Sequence, residues 1–443
     1  MAKIEVTAVG GYDFVGKNMT AVKIDDEIII FDMGLHLDNY IKCQSEEDEN
    51  YISTKILKTA DAIPDDSSIE DWRGNVKAIV TTHAHLDHLG AIPYLASRYN
   101  CHIIGTPFTI EVLNAIAKDN GIVMSNDLKK IAANQKFKIS ENLELEFINV
   151  THSTPQTVLA AIHTKHEVIV YANDFKFDMY PTLGKKTEFS RFEKLGKVKL
   201  LIVDSLYAQD SIKMPSESVA KQMLKDVMVG ISSKGQGMVV TTFSSHLARL
   251  DSIYNFAKEI GRKPIFLGRS LSKYIEAGEK VNIINFSKDS EITKFKNQVK
   301  KALKKIHKEK DKYVLICTGH QGEPSSIMDQ LVNDKFDYKL GKNDIVIFSC
   351  NVIPSEINLK NREKMDKTII EKGCRIFKGI HVSGHGAKED LRDLLNMVKP
   401  ENIIPTHGGF DMKLALAGLA KELGYKLGKN VFIMKDGERI QIK

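Results

Sequence analysis

The sequence predicts an α/β protein in which one β-rich α/β domain carries a second, inserted α/β domain. Three observations predict it. The first 200 or so residues read as short apolar strands separated by tight turns, with few helices. The middle of the chain then changes rhythm, and strands alternate with helical segments. The last stretch carries two more histidine motifs, whose use depends on a cluster of histidines near residue 85.

At the N-terminus, Lys3–Val9, Asn18–Ile24 and Glu27–Phe31 alternate or run apolar, and Gly10-Gly11 and Asp25-Asp26 mark turns. Residues 42–75 break the pattern. They are rich in acids and contain Pro64-Asp65-Asp66-Ser67-Ser68, so they read as a surface insertion or lid. Lys77–Thr82 is a buried strand ending at a histidine cluster, and Leu89–Arg98 reads as a helix. Strands follow at Leu143–Val150, Val158–Thr164 and Glu167–Ala172. From about Lys199, strands Leu200–Asp204, Met238–Phe243, Tyr313–Thr318 and Asp344–Ser349 alternate with helices Glu217–Ser233, Ser245–Ile260, Leu271–Val281 and Ser325–Val332. That alternation predicts a mostly parallel sheet with helices on both faces. The expected division is 1–205, an insertion at 206–376, and a return to the first domain at 377–443.

Composition narrows the class. The 443 residues are 42% hydrophobic and 27% charged, as in an ordinary water-soluble α/β chain. A net charge of +6 is compatible with a polyanionic partner and is weak evidence for one. Five scattered cysteines form no disulfide framework and no metal-ligand pair. Neither a signal-peptide core nor a bilayer-length apolar run is found, so a cytoplasmic protein without a membrane partner is expected.

The strongest chemical signal is His83-Ala-His85-Leu-Asp87-His88. It follows a strand, at the carboxyl end where α/β sheets place ligand sites. Four potential ligands in six residues suit two adjacent metals better than one, and imidazole nitrogens favour zinc-like ions. Two metals about 3.5–4 Å apart can activate water and clamp both oxygens of a displacement at phosphorus. A mere surface cluster of histidines fits this strand–loop–helix context poorly. His102, His163, His166 and His307 read as ordinary residues. His152, Asp174 and His407 each follow an apolar strand and would singly be structural, but in order after the cluster they complete a series.

With Asp32 in Phe31-Asp32-Met33-Gly34, that series resembles the metallo-β-lactamase superfamily. The resemblance implies an αββα sandwich in which His83, His85 and His152 bind one metal, and Asp87, His88 and His407 the other. It implies that Asp174 bridges both and that Asp32 orients the cluster loop from behind the ligands. All seven ligand positions are filled, which argues against a purely binding homologue.

Three further features resemble the β-CASP branch, whose members act on nucleic acids. Asp204, in Leu200-Leu201-Ile202-Val203-Asp204, fits its acidic motif and supports the site as Asp32 does. His385, in His381-Val382-Ser383-Gly384-His385, fits the second motif, and His407 the third. His385 is the candidate to donate a proton to the leaving oxygen or to stabilise charge, acting with Asp87 and Asp174. Gly384 lets backbone N–H groups approach a phosphate, and Ser383 adds a donor. His381 reads equally as a packed histidine or a ligand contact.

Within that branch, Gly16–Met19, Asn173–Asp178, Ser244-Ser245, Gly268-Arg269-Ser270, Thr318–Pro324 and His381–Gly386 resemble the ribonuclease J family in its compact archaeal form. The likeness runs from about residue 5 to residue 410. The sequence departs from the pattern at Gln156, where an acidic residue is common, at His320, where a serine is common, and at Cys350-Asn-Val-Ile-Pro354. The resemblance implies a zinc-dependent ribonuclease degrading single-stranded RNA 5′→3′ from 5′-monophosphate ends, in RNA decay and maturation. It implies two Zn2+ per chain, with Mn2+ or Mg2+ as alternative activators, and a homodimer. The runner-up is an endoribonuclease of the same branch of the RNA 3′-end-processing type; a non-catalytic RNA-binding subunit is the reading from another class. A tRNA 3′-processing enzyme or a thioesterase would not need the insertion.

Ser244, Ser245, Arg269 and Ser270 are candidate contacts to backbone or terminal phosphate, arginine being suited to bidentate binding. For the two serines a helix N-cap role fits as well. Lys294–Lys310 holds eight lysines and an apolar stripe of Phe295, Val299, Leu303 and Ile306. It reads first as a solvated amphipathic helix, and second as a track for an RNA backbone.

Overall fold

The computed structural model describes residues 2–46, 52–353 and 355–442. They form two compact units. One comprises Met1–Met179, Lys185–Met214 and Gly384–Lys443; the other comprises Tyr180–Gly184 and Pro215–Ser383.

The first unit is built on two sheets. Along the chain come β1 (Ile4–Gly10), β2 (Met19–Ile24), β3 (Glu27–Phe31), β4 (Val76–Val80), β5 (His102–Gly105) and β6 (Leu128–Lys130). The second sheet takes β7 (Lys136–Lys138), β8 (Glu144–Asn149), β9 (Val158–His163), β10 (Val168–Ala172) and β11 (Val198–Asp204). The inserted unit supplies β12 (Met238–Thr241), β13 (Lys263–Leu267), β14 (Glu291–Thr293), β15 (Tyr313–Cys317), β16 (Ile345–Phe348) and β17 (Arg375–Phe377). The chain ends with β18 (Asn402–Thr406) and β19 (Arg439–Ile442).

The first sheet runs β19-β1-β2-β3-β4-β5-β6 and the second β18-β11-β10-β9-β8-β7. The last two strands therefore join both sheets of the first unit: β19 pairs antiparallel with β1, and β18 parallel with β11. Alternation along the strands makes the layers. Val6, Val22, Ile29, Phe31 and Val80 of the first sheet share one core with Phe147, Ala160, Ile162, Tyr171 and Ile202 of the second. The intervening residues of the second sheet, Leu159, Ala161, Val170, Leu201 and Val203, pack instead with Leu391, Leu394, Leu416 and Leu419 of helices Lys388–Val398 and Phe410–Glu422. On the first sheet Ile28, Ile30, Ile79 and Ile103 are also buried, so both sheets are covered on both faces, as an αββα sandwich requires.

β11, where the strand–helix alternation begins, belongs to the second sheet of the first unit. All seven of its residues are buried because it lies between β10 and β18. Two local expectations change. Residues 42–75 are not a plain surface insertion. Leu57, Ile63, Ile69 and Trp72 are buried, and Asp66, fully buried, holds Lys58, Arg98 and Tyr99 together. Residues 47–51 of that segment, and Pro354, lie outside the described residues. The helix expected over Leu89–Arg98 is three short pieces, Leu86–Leu89, Ile92–Leu95 and Ala96–Arg98, the second with Pro93 in its first turn.

In the inserted unit the sheet order is β14-β13-β15-β12-β16-β17 and every pairing is parallel. One face packs Val239, Leu267, Leu315, Val346 and Phe348 on Val299, Leu303, Leu331, Met365 and Ile369 of three helices. Helices Leu247–Glu259 and Arg269–Lys280 also pack on β13. Among the described residues no helix is long and apolar enough to cross a membrane.

Candidate metal centre

The ligand-bearing residues sit where strands end. Asp32 follows β3, the 83–88 cluster follows β4, Asp174 follows β10, and His407 follows β18. Asp32, Asp174 and His407 all adopt left-handed backbone, with φ of 57°, 52° and 54°. Such conformations cost about 1–3 kcal/mol each and persist where surrounding packing enforces them, commonly at functional sites.

Asp174 is 1% exposed and lies between two groups of histidines. Its Oδ2 is 3.3 Å from His83 Nε2 and 3.6 Å from His152 Nε2. Its Oδ1 is 3.2 Å from His88 Nε2 and 3.6 Å from His407 Nε2. His85 Nδ1 completes the first group, 3.1 Å from both His83 Nε2 and His152 Nε2. Asp87 Oδ2 lies on the second side, 3.7 Å from His88 Nε2. Nitrogens bound to one tetrahedral zinc at about 2.0–2.1 Å stand at similar separations. The ligand atoms fall into the sets His83, His85, His152, Asp174 and Asp87, His88, His407, each within 4.8 Å. A third set, Asp174, His385 and His407, overlaps both.

The hydrogen bonds behind these rings set their tautomers. His152 Nδ1 donates to the Gly384 carbonyl at 2.7 Å, His88 Nδ1 to Asp32 Oδ2 at 2.8 Å, and His407 Nδ1 to Asn18 Oδ1 at 2.9 Å. Each bond leaves the Nε2 lone pair turned to Asp174, as metal ligation needs. Asp32 also accepts from the Thr82 backbone N–H and hydroxyl, which ties the cluster loop to β3.

Burial, with help from neighbouring imidazoles, holds His83, His85 and His152 well below the ordinary histidine range. Burial opposes charge on His88 too, but the carboxylates of Asp174, Asp87 and Asp32 outweigh it and raise that ring well above the usual value. Burial would raise the Asp174 carboxyl, yet His407, His88 and His385 hold it well below its ordinary range. The residues fit a pair of zinc-like ions. The donors are imidazole nitrogens and carboxylates, and Asp174 Oδ1 is a buried oxygen without a hydrogen-bond partner.

His385 stands beside the ligands. Its Nε2 is 3.7 Å from Asp174 Oδ2, its ring stacks on His407 with centroids 5.5 Å apart, and its Nδ1 contacts Asp204 Oδ2 at 2.9 Å. Burial would lower it, but the Asp174 and Asp204 carboxylates push it up to about 9.

The other expected site residues belong to the inserted unit. Ser244 and Ser245 follow β12, Arg269 and Ser270 follow β13, the 318–324 string follows β15, and His381 and Ser383 follow β17. All lie on the carboxyl edge of one parallel sheet. Phe243 stacks edge-on against His320 at 4.2 Å and lies 6.5 Å from His381. Arg269 and Ser270 are exposed. Neither serine caps the helix Leu247–Glu259; His246 occupies that position.

Sequence reasoning missed Asn18, Thr82, Gly34 and the carbonyl of Gly384. Asn18 binds His407 and, through Nδ2, the Asp87 carbonyl at 3.0 Å. A Cβ on Gly34 would stand 1.5 Å from the Asp87 carbonyl oxygen, and one on Gly384 would stand 2.8 Å from His152 Nδ1. The signal existed, since Asn18 and Gly34 lie in strings singled out above, but only the fold shows what they touch.

Comparison with known families agrees with this arrangement. Family models described as "Beta-lactamase superfamily domain", "Ribonuclease J, beta-CASP domain" and "Zn-dependent metallo-hydrolase RNA specificity domain" match residues 61–231, 235–369 and 369–434. A ribonuclease J of Methanocaldococcus jannaschii is 41% identical over 440 residues, 98% of each chain. The chain belongs to the ribonuclease J family. Ribonuclease J of Pyrococcus abyssi is 40% identical over 99% of this chain and 97% of its own. Ribonuclease J 1 of Streptococcus pyogenes is 31% identical over 98% of this chain but 74% of its own length. The two archaeal relatives are thus matched over nearly all of their length. A crystal structure of an Enterococcus faecalis protein of unknown function shares the fold, with TM-score 0.65 and 16% identity, over 99% of this chain and 100% of that one.

Proposed function

We propose that the protein is a two-zinc ribonuclease that degrades single-stranded RNA 5′→3′ from 5′-monophosphate ends. The observation that carries the reading is Asp174, whose two oxygens face two separate histidine groups in a chain of the ribonuclease J family. His83, His85 and His152 would hold one ion, Asp87, His88 and His407 the other, and Asp174 both.

Two such ions supply Lewis-acid charge and an activated water for in-line displacement at phosphorus. The chain's own residues do the rest. Asp32, Asn18 and the Gly384 carbonyl hold His88, His407 and His152 with their Nε2 atoms inward. His385, whose Nδ1 is hydrogen-bonded to Asp204, turns Nε2 towards the site as the candidate proton donor to the leaving oxygen. Ser244, Ser245, Arg269, Ser270, His381 and Ser383 are the donors for the backbone and the terminal phosphate.

The test is a time course on uniformly labelled 5′-monophosphorylated RNA, beside His85→Ala and Asp174→Ala. Mononucleotides from the first time points, absent in both variants, support the reading. Discrete internal fragments without mononucleotides would instead identify an endonuclease.

A further inference from the structure

The net charge of +6 hides an asymmetry between the two units. The unit Tyr180–Gly184 plus Pro215–Ser383 carries 30 Lys and Arg against 19 Asp and Glu, whereas the rest of the chain carries 33 against 38. The excess is concentrated at one element. No acidic residue occurs between Glu291 and Glu309, a span that includes the whole helix Lys296–Ile306.

The apolar stripe of that helix is committed to the core. Val299, Leu303 and Ile306 pack under β13 and β15 against Leu267 and Leu315. The opposite face is therefore obliged to point to solvent, and Lys296, Lys300, Lys301, Lys304 and Lys305 are all exposed. Lys296, Lys300 and Lys304 recur at every fourth position, about 6 Å apart along the axis, with Lys301 and Lys305 forming a parallel row. Like charges at this spacing destabilise a helix, and a surface selected only for solubility intersperses both signs. Among the described residues none of the five makes an ion pair that would relieve the repulsion.

A second observation comes from the start of the helix. The sequence pattern puts Phe295 within the apolar stripe. It is instead 52% exposed, while Gln298 Oε1 accepts from the Lys294 and Phe295 backbone N–H groups and fixes the turn that presents it. An exposed ring at the head of two cationic rows is the combination by which proteins hold single strands without sequence preference: cations follow the phosphates and the ring stacks on a base.

We propose that the outer face of the helix Lys296–Ile306, with Phe295 at its head, is an accessory binding surface for single-stranded RNA, apart from the residues named above for the scissile and terminal phosphates. It rests on the ribonuclease reading for its ligand. An acidic protein segment could satisfy the lysines, but it gives no role to the exposed ring.

The experiment uses the full chain. Binding of a long unstructured RNA is measured against salt in the presence of a chelator, and turnover is measured on a short 5′-monophosphorylated oligonucleotide. In K300Q/K301Q/K304Q/K305Q, affinity for the long RNA falls by about tenfold or more at low salt. The plot of log affinity against log salt becomes shallower by roughly 2–3, at about 0.7 for each phosphate no longer neutralised. The same four positions changed to Arg keep affinity and slope. F295A weakens binding severalfold and leaves the slope unchanged. Turnover of the short oligonucleotide stays at the wild-type level in all three. Unchanged long-RNA affinity and slope in the Gln variant overturn the proposal, and leave the helix to another partner. A wild-type protein that fails to turn over the short oligonucleotide overturns the ribonuclease reading, and the binding comparison still decides this one.

Discussion

Asp204 Oδ2 lies 2.9 Å from His385 Nδ1, linking residues 181 positions apart. The pair spans the insertion, since Asp204 ends β11 and His385 opens the returning segment. Because the carboxylate accepts the hydrogen bond from Nδ1–H, Nε2 faces Asp174 at 3.7 Å. Asp204→Ala removes both the orientation and part of the field that raises His385. Its kcat on RNA is expected to fall by about 10²–10⁴-fold, the usual reach of a positioned acid. Metal content should stay at the wild-type level, and adding His385→Ala should cost little more. Metal analysis beside single-turnover kinetics separates this from a loss of ligands.

Asp32 binds both Thr82 and His88 while fully buried. Asp32→Ala leaves the Thr82 N–H without its acceptor and frees the His88 ring. Loss of such a supporting carboxylate typically weakens metal affinity about 10–100-fold. Competition with a chelator of known affinity should show that shift; an unchanged metal affinity would rule out this role for Asp32.

Gly34 lies against the helix that carries Asp87. A Cβ there would meet the Asp87 carbonyl oxygen at 1.5 Å and its carbon at 2.0 Å, both backbone atoms that cannot rotate away. Gly34→Ala is expected to destabilise the first unit by about 3 kcal/mol or more, the upper range for overpacking. Gly74, with nothing within 4 Å, is the control; Gly74→Ala should stay within about 0.5 kcal/mol. Urea unfolding of the two variants reads the difference.

How much was legible in the sequence follows from range. The cluster 83–88 declared itself because four ligands share one strand–helix turn. β11 was legible as a strand of the first domain but its pairing with β18 was not, because that strand lies some two hundred positions away. Asn18 and the Gly384 carbonyl were illegible for the same reason. Their partners His407 and His152 are 389 and 232 positions distant, and one of the groups is backbone. Trp72 and Asp66 were hidden in a stretch whose polar composition outweighed its few core residues.

His320 gives a stability prediction in the inserted unit. It is 4% exposed, both ring nitrogens lack hydrogen-bond partners, and burial, with Arg362 nearby, pushes it down to about 3. Its folded value lies below the ordinary 6.5 of the unfolded chain. Above pH 6.5 the ring is neutral in both states and contributes no pH dependence. Between 6.5 and 3 only the unfolded chain takes the proton, so stability falls as pH falls, at up to about 1.4 kcal/mol per pH unit. His320→Asn removes that slope. The drop in thermal midpoint from pH 7.5 to pH 5 should be smaller in the variant; an equal drop contradicts the assignment.

Metal titration of chelated protein tests the central claim, that Asp174 joins two metal sites into one hydrolytic centre. Zinc or manganese is added stepwise while bound metal and RNA hydrolysis are followed on the same samples, for wild type and Asp174→Ala. Wild type should bind two ions per chain and reach its full rate of hydrolysis only as the second equivalent binds, whereas the variant should hold at most one ion tightly and not hydrolyse RNA. Full activity at one equivalent, or a variant that binds two ions and cleaves RNA as the wild type does, would contradict the claim.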